Sequence, residues 1–268
     1  MKKLLTFLII LFSLTSNVVW SADYNKGWDA FESGDYATAL REFEPLAEQG
    51  DDDAQFYLGI MYEKGLGVPQ DYMTAVKWYT LSAEQGDSAS QNNLGLIYEN
   101  GTGVLQDHKT ALKWFRLAAE QGYAESQTSM GYMYENGFGV IQNYKTAVKW
   151  YRLSTEQGNA SGQYNLGVMY DEGKGVPQDY KTAVKWYRLS AAQGNTNAQF
   201  NLGLSYYFGE GVIEDNVYAH MWVNISASNG KEKGIDARDI IAEKMTSADI
   251  SKAQNLAREC VAKNYKGC

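Results

Sequence analysis

Two cysteines and two histidines in 268 residues leave little material for metal or nucleophilic chemistry. His108 and His220 lie far apart, and neither sits in the Cys, His or Asp spacing that a zinc site or a catalytic triad requires. The acidic run Asp51-Asp52-Asp53 lacks the glycine and alternating ligands of a calcium loop. Carboxylates ahead of a helix start are favoured by the helix dipole in any case. No metal and no cofactor is expected.

Positive charge is scarce too, with 24 lysines and arginines against 32 acidic residues and a formal net charge of −8. Nucleic acid and anionic membrane surfaces both want a basic face, so neither is expected as a partner. The acidic balance leaves two readings open, attraction to a basic partner or a general solubility device. Long apolar runs are absent except at the start. Residues 1–21 place Lys2 and Lys3 before an apolar run from Leu4 to Leu14 and close on a polar stretch, which is the layout of a secretory signal peptide. The run is shorter than the roughly 20 residues of a membrane span, so cleavage after Ser21 is preferred to an anchor, with no stable membrane insertion once the signal is removed. The mature chain would be periplasmic or secreted, and losing Lys2 and Lys3 takes its formal charge from −8 to −10. In such a compartment the even pair Cys260 and Cys268 reads as a disulfide rather than two free thiols. That pairing requires the last helix to end near Asn264 and Gly267 to let the tail fold back.

What the chain does have is a repeat of unvarying length. The stretch from Ala54 to Gly86 returns four more times at a step of 36 residues. Gly59 recurs as Gly95, Gly131, Gly167 and Gly203, and Trp78 as Trp114, Trp150, Trp186 and Trp222. Identical units in strict register are the mark of a solenoid. Within a unit, Gln55, Leu58, Gly59 and Tyr62 share one face of a short helix. A glycine inside a helix costs about 0.5–1 kcal/mol against alanine, so its recurrence implies close packing of a neighbouring helix against bare backbone.

Gly65-Leu66-Gly67-Val68-Pro69 breaks that helix, and a second begins at Asp71, with Asp107, Asn143, Asp179 and Asp215 at the matching N-cap places. Tyr72, Ala75, Val76, Tyr79 and Ala83 form its apolar stripe, which Trp78 and Leu81 widen towards a second neighbour. Gly86 and its copies stop the helix. The expected fold is all-α, a right-handed α/α superhelix of helix-loop-helix units.

The boundaries follow from the repeat. Residues 22–50 form an N-terminal cap unit with Gly27, Ala30, Gly34, Asp35, Tyr36 and Ala39 but no glycine-valine-proline loop. Its Glu42 takes the tryptophan's place, as expected if no earlier helix packs there. Residues 51–230 hold the five units. In residues 231–268 the period is lost, and two capping helices are predicted over 232–245 and 247–262, with Ile240, Ile241, Met245, Ile250, Ala253, Leu256 and Ala257 facing the open end of the stack.

The run of Ala-Gln before Leu-Gly, Tyr-Glu-x-Gly-x-Gly-Val, Asp-Tyr-x-x-Ala-x-Lys-Trp and Ala-x-Gln-Gly resembles the Sel-one-like repeat (SLR) family, related to the tetratricopeptide repeat (TPR). The resemblance covers roughly residues 54–230 and implies a non-enzymatic scaffold for protein or peptide partners. By analogy with TPR proteins the concave groove is lined by the first helix of each pair. The groove-facing places are then Tyr24, Trp28 and Phe31; Phe56, Ile60 and Glu63; Leu96 and Glu99; Tyr132 and Glu135; Tyr164 and Asp171; and Phe200 and Tyr207. Aromatic rows at both ends and a column of carboxylates between them suit a segment with aliphatic and basic side chains, although a plain solvated face is the alternative for the carboxylates. Asn93, Asn165 and Asn201 share one place beside this face, fit either to bond a bound peptide's backbone, as in TPR proteins, or to make an internal hydrogen bond. Some cysteine-rich SLR proteins are linked with penicillin binding or β-lactamase activity, which makes a peptidoglycan- or β-lactam-binding or hydrolysing protein the alternative function. The Ser-x-x-Lys match at Ser228 to Lys231 contains the helix-ending Gly230, whereas a catalytic serine of that class opens a helix.

Overall fold

The computed structural model describes residues 22–268, so the segment read as a signal peptide lies outside the described residues. Among those described there are fourteen α-helices and no strand. Helices α1 (Tyr24–Ser33) and α2 (Tyr36–Glu48) come first. Five pairs follow: α3 (Asp52–Lys64) with α4 (Tyr72–Glu84), α5 (Ser88–Asn100) with α6 (His108–Glu120), α7 (Ala124–Asn136) with α8 (Tyr144–Glu156), α9 (Ala160–Glu172) with α10 (Tyr180–Ala191), and α11 (Thr196–Phe208) with α12 (Asn216–Ser228). Helices α13 (Glu232–Ala242) and α14 (Ser247–Ala262) complete the chain. Up to α13 each packs mainly on its predecessor and successor, and α14 packs on α12, so the fold is an α-helical solenoid.

Local sequence sets the helix ends. The five expected N-cap side chains of the second helices all accept from backbone N–H groups of the first turn. At Asp71, Asp107 and Asp179 the threonine three residues on adds its hydroxyl, which holds each carboxyl below the usual carboxylate range. Asn143 makes one such bond, from Thr146 N at 3.0 Å. Asn143→Ala is expected to cost about 1 kcal/mol, read from urea unfolding. The first helices of the five units are capped as well, by Asp51, Asp87, Asn159 and Asn195, and only Tyr123 lacks a capping side chain. In the loop, Gly139 is left-handed (φ 67°), and a Cβ there would stand 2.4 Å from the carbonyl oxygen of His108. Each loop is thereby pressed onto the start of the previous unit's second helix.

The recurrent helical glycine is explained by a ring. A Cβ on Gly59 would lie 2.5 Å from Tyr79, on Gly95 2.4 Å from Phe115, on Gly131 2.4 Å from Tyr151 and on Gly167 2.7 Å from Tyr187. The neighbouring helix expected from sequence is thus the unit's own second helix, which lays an aromatic ring on the bare backbone in four units, while Gly203 meets Val223 and the carbonyl oxygen of Ala219. The tryptophan joins units: Trp78 packs into the core of α1 to α3, Trp114 onto Tyr79 and Leu94, Trp150 onto Phe115 and Met130, and Trp186 onto Tyr151 and Leu166.

Buried glutamines staple the stack. Gln91 donates to Ala83 O at 3.0 Å and accepts from Gln121 at 2.8 Å, and the same exchange recurs at Gln55 and Gln127. Each bond to a backbone carbonyl ties one unit's first helix to the previous unit's second helix, satisfying a buried amide that would otherwise be costly.

Three sequence expectations give way. Leu81 does not pack on a neighbour; it is exposed, as are Leu117, Leu153 and Leu189, because the second helix is covered on two sides only. Glu42 is buried, not turned to an open end: it accepts from Lys26 Nζ at 2.7 Å and Asp23 N at 3.2 Å. The Lys26 bond, ahead of the other partners, holds its carboxyl below the usual range. Ile240 is exposed while Ile241 is buried, because α13 presents one narrow face to α12. Helix α14 lies against α12 and covers Met221 and Ile225. Cys260 and Cys268 are joined across a Cα separation of 5.6 Å, with Asn264, Tyr265 and Gly267 all at positive φ to fold the tail back.

Candidate functional site

The groove expected from sequence is assigned to the first helices, and these lie beside one another in successive units. Helices α7 and α9 approach each other directly, and Ser126 of α7 donates to Asn92 of α5 at 2.8 Å. The groove-facing residues expected from sequence do not all stand open on this surface.

At the N-terminal end, Tyr24, Trp28 and Phe31 are half-buried in a cluster around Tyr57, with ring centroids 6.5, 5.0 and 5.1 Å from it. Burial and the nearby Asp53 push the Tyr24 hydroxyl up to about 12. Phe56 leans on Tyr57 and Tyr79, and Ile60 joins the adjacent core. At the other end Phe200 lies under the Lys231 ammonium, 5.8 Å from its centroid, and Tyr207 under that of Lys244 at 4.4 Å. Tyr164 is half-buried beside Tyr187. The open part is the middle, where Leu96 is 39% and Tyr132 42% exposed.

The carboxylate column is neither a plain solvated face nor a free row of charges. Tyr79 OH donates to Glu63 at 2.5 Å, Tyr151 OH to Glu135 at 2.6 Å and Tyr187 OH to Asp171 at 3.0 Å. Burial, foremost, and these carboxylates drive the three tyrosine hydroxyls far above their ordinary range. The geometry follows from the glycine: with Gly59 bare, the Tyr79 ring crosses the first helix and its hydroxyl reaches Glu63 one turn on. Two of the asparagines serve the same network from the next unit. Asn201 donates to Tyr187 OH at 3.2 Å, and Asn93 stands beside the Tyr79 hydroxyl, where it opposes the upward push of burial and Glu63. Asn165 holds the equivalent place after Tyr151. The tyrosine hydroxyls were missed by sequence reasoning, although a signal existed: each such tyrosine is followed fourteen residues later by asparagine, while Phe115 is followed by Ser129.

Among the described residues no catalytic constellation comes together around Ser228. Its hydroxyl donates to Asn224 O at 2.9 Å on the last turn of α12, while Lys231 Nζ reaches Asn197 at 2.6 Å. His108 stacks on Phe138 at 4.7 Å, and His220 is buried on α12. Among the described residues no cluster of three or more His, Cys, Asp or Glu could hold a metal ion, and no helix is long and apolar enough to cross a membrane.

Comparison with known proteins places this architecture. A crystal structure of a Sel1 repeat protein from Oxalobacter formigenes is 33% identical, superposes with a TM-score of 0.75, and matches 88% of this chain and 99% of that one. A protective antigen present in uropathogenic Escherichia coli strains, displaying an SLR fold, is 29% identical with a TM-score of 0.57; the match covers 89% of this chain and 62% of that one. No curated protein sequence matches. The Sel1 repeat model fits residues 52–87, 88–123, 124–159, 160–195 and 196–231 without a gap, and the chain belongs to the Sel1 repeat family.

Proposed function

We propose that this Sel1 repeat chain is a non-enzymatic, exported scaffold that holds a protein or peptide segment along its inner surface. The observation that carries the reading is the open middle of that surface, where Leu96 and Tyr132 leave large apolar area in water beside half-buried carboxylates. Uncovered apolar side chains on a concave face gain from being covered by a partner. The signal-like residues 1–21 and the Cys260–Cys268 bond support passage to an oxidising compartment, periplasmic or extracellular. The acidic balance favours a protein partner with basic side chains over nucleic acid.

The test places a photo-crosslinking amino acid at Leu96 or Tyr132 on the inner surface, and at Leu153 or Leu189 on the outer face, in the producing cell. All four are exposed, so the substitutions should leave the fold intact. Adducts of defined mass are expected from the inner pair. Adducts confined to the outer pair would overturn the groove.

A further inference from the structure

The second unit departs from the first, third and fourth at three linked places. Phe115 replaces the tyrosine found as Tyr79, Tyr151 and Tyr187; Ser129 replaces the asparagine that follows each of those; and His108 replaces Tyr72, Tyr144 and Tyr180. The carboxylate is kept, as Glu99. The Phe115 ring lies against Gly95 as the tyrosines lie against their glycines, but it brings no hydroxyl. Glu63, Glu135 and Asp171 each accept from a tyrosine, whereas Glu99 is half-buried with no hydrogen bond or ion pair to its side chain among the described residues. Burial raises its carboxyl above the usual range, against a smaller opposing effect of His108. A carboxylate that gives up water without gaining a donor is an unfavourable arrangement that a cation would relieve.

The surroundings of Glu99 are shaped differently from those of its counterparts. One unit earlier, a hollow of about 200 Å3 between α3 and α5 is lined by Glu63, Asn93, Leu96 and Thr102, among others. A step of 36 residues turns those four places into Glu99, Ser129, Tyr132 and Phe138. Aromatic side chains thus stand at the places of Leu96 and Thr102, and Ser129 at that of Asn93. Tyr132 meets Phe138 edge-on with centroids 5.7 Å apart, and His108 backs Phe138 at 4.7 Å. Aromatic rings beside an unpartnered carboxylate are the combination that holds a lysine or arginine head, the rings acting through their faces and the carboxylate through its charge. Of the chain's own basic side chains, His108 acts on Glu99 through space without a hydrogen bond, and Lys113 is engaged elsewhere, 5.5 Å from the centroid of Trp114.

Building on the groove reading above, we propose that the notch between α5 and α7 is where the inner surface grips one cationic side chain of its bound segment, with Glu99 as the counter-charge and Tyr132 and Phe138 as the walls. Phe115→Tyr tests this with little risk to folding, because Tyr151 already makes the equivalent bond to Glu135. The new hydroxyl would occupy Glu99 from within. Glu99→Gln removes the charge and keeps the shape.

A random peptide library displayed on phage is panned on the mature chain, and the selected peptides are resynthesised with each lysine or arginine replaced by norleucine. One basic position is expected to stand out, its replacement weakening binding about tenfold, a difference of 1.4 kcal/mol. That discrimination should vanish in both Phe115→Tyr and Glu99→Gln. Selected peptides that need no basic residue, or a discrimination unchanged in both variants, would overturn the notch. Leu96→Asp separates the two levels. If it abolishes binding while basic residues prove irrelevant, the groove stands and the notch falls. If no peptide is retained, or binding ignores Leu96→Asp, both fall.

Discussion

Tyr151→Ala should lower the stability of the solenoid by about 3–5 kcal/mol, the usual cost of deleting a large buried aromatic side chain. Tyr151 is completely buried, fills the groove left by Gly131, receives Trp186 from the next unit and donates its hydroxyl to Glu135. Its removal therefore empties a core and strands a half-buried carboxylate together. Tyr151→Phe separates these contributions. It keeps the ring and is expected to cost about 1–3 kcal/mol, the cost of an unmet hydrogen-bonding group. Urea unfolding followed by circular dichroism measures both. A loss for alanine no larger than that for phenylalanine would show that the ring contributes nothing to the seam. Because each unit leans only on its neighbours, the alanine variant should also broaden the transition, as the two halves of the stack begin to unfold separately.

Gly131→Ala gives the second large effect, and its sign should depend on Tyr151. In the wild type the new methyl would stand 2.4 Å from a ring that is packed on every side, and such overpacking typically costs 1–3 kcal/mol, about what is expected here. In the Tyr151→Ala background the ring is gone, and the same substitution should stabilise by about 0.5–1 kcal/mol through helix propensity alone. A double-mutant cycle reads the difference directly. If Gly131→Ala destabilised equally in both backgrounds, close approach of the ring would not be the reason for the glycine.

The period of 36, the helix pairs, the N-caps and the inter-unit role of tryptophan were legible in the sequence, because each repeats and each has a local physical cause. The partner of the glycine was not. Periodicity identifies the residues that share a helix face but not the side chain that arrives there, so Gly59 implied a close approach without naming Tyr79. Leu81 shows the converse limit: its spacing extends the apolar stripe of α4, yet the third side of that helix has no neighbour. The groove expectation was read from Leu58 and Gly59 by helical spacing, which cannot reveal that Glu63, Glu135 and Asp171 are already bonded by tyrosine hydroxyls sixteen residues on. Glu99 looks like the others in the sequence column; only its surroundings set it apart.

The pairing of tyrosine with a later asparagine has a bearing on how such a chain can be lengthened or shortened. Tyr79 and Asn93 belong to different helix pairs, with the turn at Gly86 between them. An exchange of units with its joints in that turn would part the two residues and could set Phe115 opposite Asn165, or Tyr151 opposite Ser129. Joints placed in the loop around Gly65 to Gln70 would part Tyr79 from Glu63 and from Gly59, but an acidic residue occupies the first place in four of the five units and glycine the second in all five. The block that can be transplanted intact is therefore offset by half a unit from the one that the spacing of glycines and tryptophans suggests.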